Sequence, residues 1–142
     1  GGATRFLAQY ALAPIVLVGC GPSRTPAAPP AGVRIVDPAE GATVTLPFTI
    51  RLEATGVRVV PADGQRTPAE GHHHLFFDVD PTQGESVIPK TNEIVHLGSG
   101  AAEFKVETLA PGPHRIIAVM ANGAHIPLTG VATDTVNVTV AP

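Results

Sequence analysis

The 142-residue sequence predicts an all-β fold, about seven short antiparallel strands packed as a sandwich. The first observation behind this is punctuation. Fifteen glycines and 15 prolines are spread along the chain, and each proline removes a backbone donor while each glycine loosens the backbone, so long helices have little room. The second is that apolar residues recur at every other position, in segments too short and too frequent for helices. Hydrophobic residues make up 44% and charged residues 15% of a chain of net charge -3, a globular composition with space for one core. Nine Lys and Arg, scattered rather than clustered, cannot form the phosphate-neutralising stripe that nucleic acid requires.

Residues 1–20 come first. Arg5 precedes an apolar run that ends in Leu17, Val18, Gly19 and Cys20, the order of a secretory signal. As a helix, Phe6 to Gly21 would span only about 24 Å, short of the ~30 Å hydrocarbon core, and Pro14 interrupts it. A signal or lipid-anchor segment is therefore expected in place of a membrane span. Leu-Val-Gly-Cys resembles the lipobox of bacterial lipoproteins, which implies lipid attachment at Cys20, the single cysteine, and a place on the periplasmic side of a bacterial membrane. Residues 21–32, GPSRTPAAPPAG, read as an extended Pro/Ala-rich tether, and residues 33–142 as the folded domain.

Within that domain VRIVD opens the strands. In PFTIRLEAT, Phe48, Ile50, Leu52 and Ala54 share one face and Thr49, Arg51, Glu53 and Thr55 the other. VRVV and HHLFFDV follow, then AEFKVET, with Ala102, Phe104 and Val106 opposite Glu103, Lys105 and Glu107. PHRIIAVMA is apolar on both faces and reads as a central strand. TDTVNVTV closes the series, with Val136, Val138 and Val140 turned inward. PAEG, PADG, PTQG, PGP and ANG supply the turns. The pattern is immunoglobulin-like, without the cysteine pair or core tryptophan of antibody domains.

Three of the six histidines are consecutive, in GHHHLFFDVD. Side chains alternate along a strand, so if Leu75, Phe77 and Val79 face the core, His73 joins them and His72 and His74 share the opposite, outward face. Two imidazoles separated by one residue on a strand can chelate one zinc or copper ion. A third ligand must come from His96, His114 or His125, each at a loop or strand end, with Asp78 or Asp80 as carboxylate alternatives. Met120 shares a strand face with His114, which would suit copper(I), although a single methionine between Ala118 and Asn122 is better read as core. Imidazoles at strand ends also serve as ordinary hydrogen-bonding groups for backbone, so each histidine has a structural reading beside the ligand one.

GHHHLFFDVD, then HLGSGAAEFKVE, LAPGPHRIIAV and ANGAHIP, in that order from about Val33 to Val140, resemble the bacterial DUF4399 family. Its signature residues fall on Gly71, His72, His73, His74, Asp78, His96, Gly98, Gly100, Glu103, Pro111, Gly112, His114, His125 and Pro127. Ala101 and Ala102 replace a Gln-Thr pair, Asn122 stands near the usual aspartate, and Leu128 stands where a last histidine would be. The resemblance implies a secreted or periplasmic domain and no established activity.

No serine occupies a nucleophile elbow, no acid/base pair is apparent, and Cys20 lies in the lipid context, so an enzyme is not expected. A blue-copper site would need a cysteine in the domain. The sequence favours a non-enzymatic, membrane-anchored accessory subunit bound to a protein partner in the envelope, with an apolar, unpaired sheet face or edge for docking. The alternative is a periplasmic copper- or zinc-binding domain using the histidines.

Overall fold

The computed structural model describes residues 30–142 together with Gly2 and Pro14. Cys20, most of the 1–20 segment and most of the tether lie outside the described residues. No helix among the described residues is long and apolar enough to cross a membrane.

Nine strands form the domain: β1 Gly32–Asp37, β2 Thr43–Val44, β3 Phe48–Thr55, β4 Arg58–Val59, β5 Glu70–Phe77, β6 Ile94–His96, β7 Glu103–Val106, β8 Gly112–Ala121 and β9 Asp134–Val140. All seven expected strands are present, and β2 and β6 are short additions. One sheet runs β1-β3-β7 and the other β2-β9-β8-β5-β4, with β6 also pairing with β5. Pairing is antiparallel except at β2 with β9 and β4 with β5, which run parallel over two residue pairs each. With β3 central in one sheet and β8 between β5 and β9 in the other, the order is that of an immunoglobulin-like sandwich.

The alternation read from the sequence sets the core. Ile50 and Leu52 of β3, Val106 of β7, Leu75 and Phe77 of β5, Ile116, Ala118 and Met120 of β8, and Val136, Val138 and Val140 of β9 are buried between the sheets. Met120 lies opposite His73 across the β5–β8 ladder and is 2% exposed, a core residue.

A second layer was not legible. Phe76, Ile117, Val119 and Ala121 point away from the sandwich interior, yet they are buried with Ile88, and Val79 and Ile94 pack on them. The connection from β5 to β6 folds back over the larger sheet and inserts Ile88 into that face. β5 and β8 are therefore apolar on both sides because both sides are covered. The outward face expected for His72 and His74 is consequently a buried one: all three histidines of the triplet have no exposed surface.

Candidate metal centre

Pleating divides the triplet as its spacing requires. His72 and His74 share the face of Phe76, and their ring centroids are 4.4 Å apart. His73 lies on the sandwich face, and neither of its ring nitrogens has a hydrogen-bond partner.

Two further histidines meet the pair. β6 runs beside β5 in a register that sets His96 opposite His74. His125 arrives from the turn after β8, which is stitched tightly. Asn122 Oδ1 accepts the N–H groups of Ala124 and Ile126 at 3.0 and 3.2 Å, His125 N–H donates to Asn122 O, and Ile88 N–H donates to His125 O. The turn holds His125 at a φ of 63°, a left-handed conformation that costs a non-glycine residue roughly 1–2 kcal/mol. The side chain and backbone of Asn122 offset that cost.

Three of the rings converge on one atom of the fourth. His125 Nδ1 lies 3.0 Å from His72 Nε2, 3.3 Å from His74 Nε2 and 3.3 Å from His96 Nδ1. Backbone carbonyls settle two of the tautomers. His74 Nδ1 donates to His72 O at 3.2 Å and His96 Nε2 donates to Pro89 O at 3.0 Å. Since a carbonyl only accepts, the opposite nitrogens, His74 Nε2 and His96 Nδ1, present lone pairs. Both aim at His125 Nδ1, which carries either one hydrogen or one lone pair and can satisfy one neighbour at most.

Protonation does not relieve this crowding near neutral pH. Burial first, then the neighbouring imidazoles His125, His96 and His73, lowers His72 to about 4. Burial, with His72, His96 and His125, lowers His74 to about 2. His125 is lowered too, by burial, His96 and Lys90. Burial thus keeps His72 and His74 neutral, with the lone pairs a metal ion requires, and biases His125 the same way. Ligand nitrogens of His72, His74 and His125 all lie within 4.8 Å of one another. His96 and His125 are partly exposed, so the cluster has one side towards solvent.

His114 does not join them. It lies seven residues along β8 from Ala121, the partner of His72, which is roughly 23 Å at strand rise. There its Nδ1 donates to Asp78 Oδ2 at 2.6 Å and its Nε2 to Ala110 O at 2.7 Å. Both partners are acceptors, so both nitrogens carry hydrogen and the ring is a cation. Burial alone would lower its pKa, but the Asp78 hydrogen bond, the Ala110 carbonyl and the Asp78 charge together raise it. Asp78 also accepts the Arg115 N–H at 2.8 Å, and Asp80 pairs with the Arg115 guanidinium at 2.9 Å. Neither carboxylate is near the cluster: both serve this clasp between the end of β5 and the start of β8.

The family model described as "Domain of unknown function (DUF4399)" matches residues 50–141. The chain belongs to the DUF4399 family. The match includes every histidine of the cluster and of the clasp. A comparison with curated proteins gave no match. Among solved structures, the chain is similar to a crystallised engineered protein at 21% identity and a TM-score of 0.47, covering 79% of this chain and 20% of that one. The chain thus spans about a fifth of that protein's length. Leu128 packs against the main core.

Proposed function

We propose that this domain binds a transition-metal ion, copper or zinc, through His72, His74 and His125, with His96 beside them as a fourth imidazole. The observation that carries the reading is the convergence of three ring nitrogens on His125 Nδ1 at 3.0–3.3 Å, two of them with lone pairs forward. Hydrogen bonding satisfies one such contact. A cation at the centre satisfies all of them, and a tetrahedral ion with bonds of about 2.0–2.1 Å would hold its ligands ~3.3–3.4 Å apart. Carbonyls on His74 Nδ1 and His96 Nε2 are the outer partners that metal-bound histidines regularly have. The reading is non-enzymatic, with the domain tethered on the extracytoplasmic side through Cys20.

Calorimetric titration of metal-free protein with Zn(II) and Cu(II), and with Cu(I) under reducing conditions, tests it. One ion should bind per chain with Kd below about 10 µM, and His72→Ala/His74→Ala should abolish binding. Weaker binding in the unaltered protein, or equal binding in the double variant, rejects the site.

A specific feature also supports an accessory-subunit role. β7 is paired on one side only, and beside it lies a cleft of about 530 Å³ lined by Phe77, Val95, Phe104, Val106 and Leu109 among others. An extended strand of an envelope protein could add to that edge. If so, a stoichiometric partner will co-purify from membranes and Phe104→Asp will release it; a monomer without a partner rules this out.

A further inference from the structure

No anionic group is built into the histidine cluster. A ligating imidazole is neutral, and among the described residues no aspartate, glutamate or cysteine joins His72, His74 and His125 in their group. The hydrogen bonds of these rings and of His96 run to one another and to the carbonyls of His72 and Pro89. Asp63 gives its Oδ1 to the Gln65 N–H at 2.8 Å and to no imidazole. Across the β5–β8 ladder the partners of His72 and His74 are Ala121 and Val119. Both belong to the buried apolar layer that holds Phe76 and Ile88, and neither histidine has exposed surface.

The arrangement is held from several sides. After β4, the N–H groups of Val60, Ala62 and Gly64 donate to the carbonyls of Gly71, Gly98 and Gly123 at 2.9, 2.9 and 3.0 Å. The three acceptors directly precede His72, follow His96 by two residues and precede His125 by two. Residues 60–64 therefore act as a strap that, with the β5–β6 ladder and the Asn122 turn, fixes the spacing of segments far apart in sequence. His125 Nδ1 has neighbours at 3.0, 3.3 and 3.3 Å, the near-equal separations found at one corner of a tetrahedron. In a square plane with bonds of about 2.0 Å a nitrogen would have two neighbours at ~2.8 Å and one at ~4.0 Å.

Two consequences follow for the choice of ion. The cost of desolvating a cation grows with the square of its charge, whereas its attraction to neutral imidazole dipoles grows only in proportion to charge, so a buried site without an anion favours the lower charge. A divalent ion would need an anion from solvent on the side where His96 and His125 are partly exposed, at the expense of the His96 imidazole. Cu(II) also prefers a tetragonal arrangement, while Cu(I), with the filled d shell of Zn(II), imposes none.

We propose that the histidine site is selective for monovalent copper, Cu(I), ahead of Cu(II) and Zn(II). The inference rests on the metal-binding reading above and names the ion.

The test uses the metal-free full chain with each ion alone as probe: Cu(I) under anaerobic, reducing conditions against a chromogenic Cu(I) chelator, and Cu(II) and Zn(II) each against a competing chelator. The Kd for Cu(I) should lie about a hundredfold or more below the other two. His96→Asp places an anion among the ligands, so the preference for Cu(I) over the divalent ions should fall about tenfold or more, with the metal-free melting temperature showing that the variant is folded. If Cu(II) or Zn(II) binds the unaltered protein as tightly as Cu(I), the selectivity is overturned and the metal site stands; that comparison decides even if His96→Asp does not fold. An unchanged preference in folded His96→Asp would also overturn the inference, because charge would not be what sets it. Absence of binding by all three ions removes the metal reading itself, and the selectivity with it.

Discussion

Four side chains that look alike in the sequence end in three different states. His72 and His74 are neutral and face a shared point. His114 is cationic, held by Asp78 and Ala110. His73 is buried in the core with both nitrogens unpaired, and burial lowers it to about 4. An unpaired buried polar group costs roughly 1–3 kcal/mol. His73→Leu, of similar volume and without that penalty, should therefore raise stability by about 1–2 kcal/mol in chemical denaturation. An unchanged or lower stability would show that His73 has a partner in solution. His114 gives the opposite sign. Its pKa is raised in the fold, so its contribution is complete below the unfolded value of about 6.5 and is lost as pH rises through the folded value. His114→Ala should cost about 1–2 kcal/mol at pH 6, discounted for the half-exposed Asp78, and less at pH 9. Comparing denaturation midpoints at the two pH values checks this.

At the scale of elements, the strands were legible because period two marks them whichever partner they take. β3, β7 and β9 each bury the face that their alternation assigns, and the split of the histidine triplet followed from the same rule. What stayed hidden was the cover over the second face of β5 and β8. Ile88 lies in IPKTN, a stretch with no periodicity, and nothing local says that it will fold back onto Phe76. Hence His72 and His74 were expected at the surface, and the distinction between His114 and the two histidines that do converge rested on which strand ends meet. Gly71 shows how closely β5 and β8 are fitted: a Cβ there would lie 2.2 Å from Ala121 O and 3.2 Å from Leu128 Cδ1. The first is backbone of the neighbouring strand and cannot turn aside. Gly71→Ala should cost roughly 1–3 kcal/mol or more and misplace His72, so that metal affinity falls with stability. Gly41→Ala, also a glycine but with open space around it, offers a comparison in which only backbone conformation is perturbed.

For the molecule as a whole, the lowered histidines make stability depend on pH. In the metal-free protein His72 and His73 have folded values of about 4 against about 6.5 when unfolded. The unfolded chain binds the extra protons, so their contribution is present above pH 6.5 and is lost as pH falls from there towards 4, at about 1.4 kcal/mol per pH unit for each histidine. Thermal melts from pH 7.5 to 4.5 should show a steep decline, and His73→Leu should flatten it. A profile without slope in that interval would contradict neutral burial of the triplet. An ion bound to the folded form alone adds RT ln(1 + [L]/Kd), about 2.7 kcal/mol at a hundredfold excess over Kd, so zinc or copper should move the whole transition upward.

The pairing of His72 with His125 spans 53 positions of chain, and the folded domain contains no cysteine with which to close such a loop. An ion gripped at both ends would do a disulfide's work by restricting the unfolded chain, but it would be a cross-link whose integrity follows supply. Chelation would undo it, replenishment would remake it, and neither would require an oxidant. The durability of the domain would then report the abundance of the ion in its surroundings.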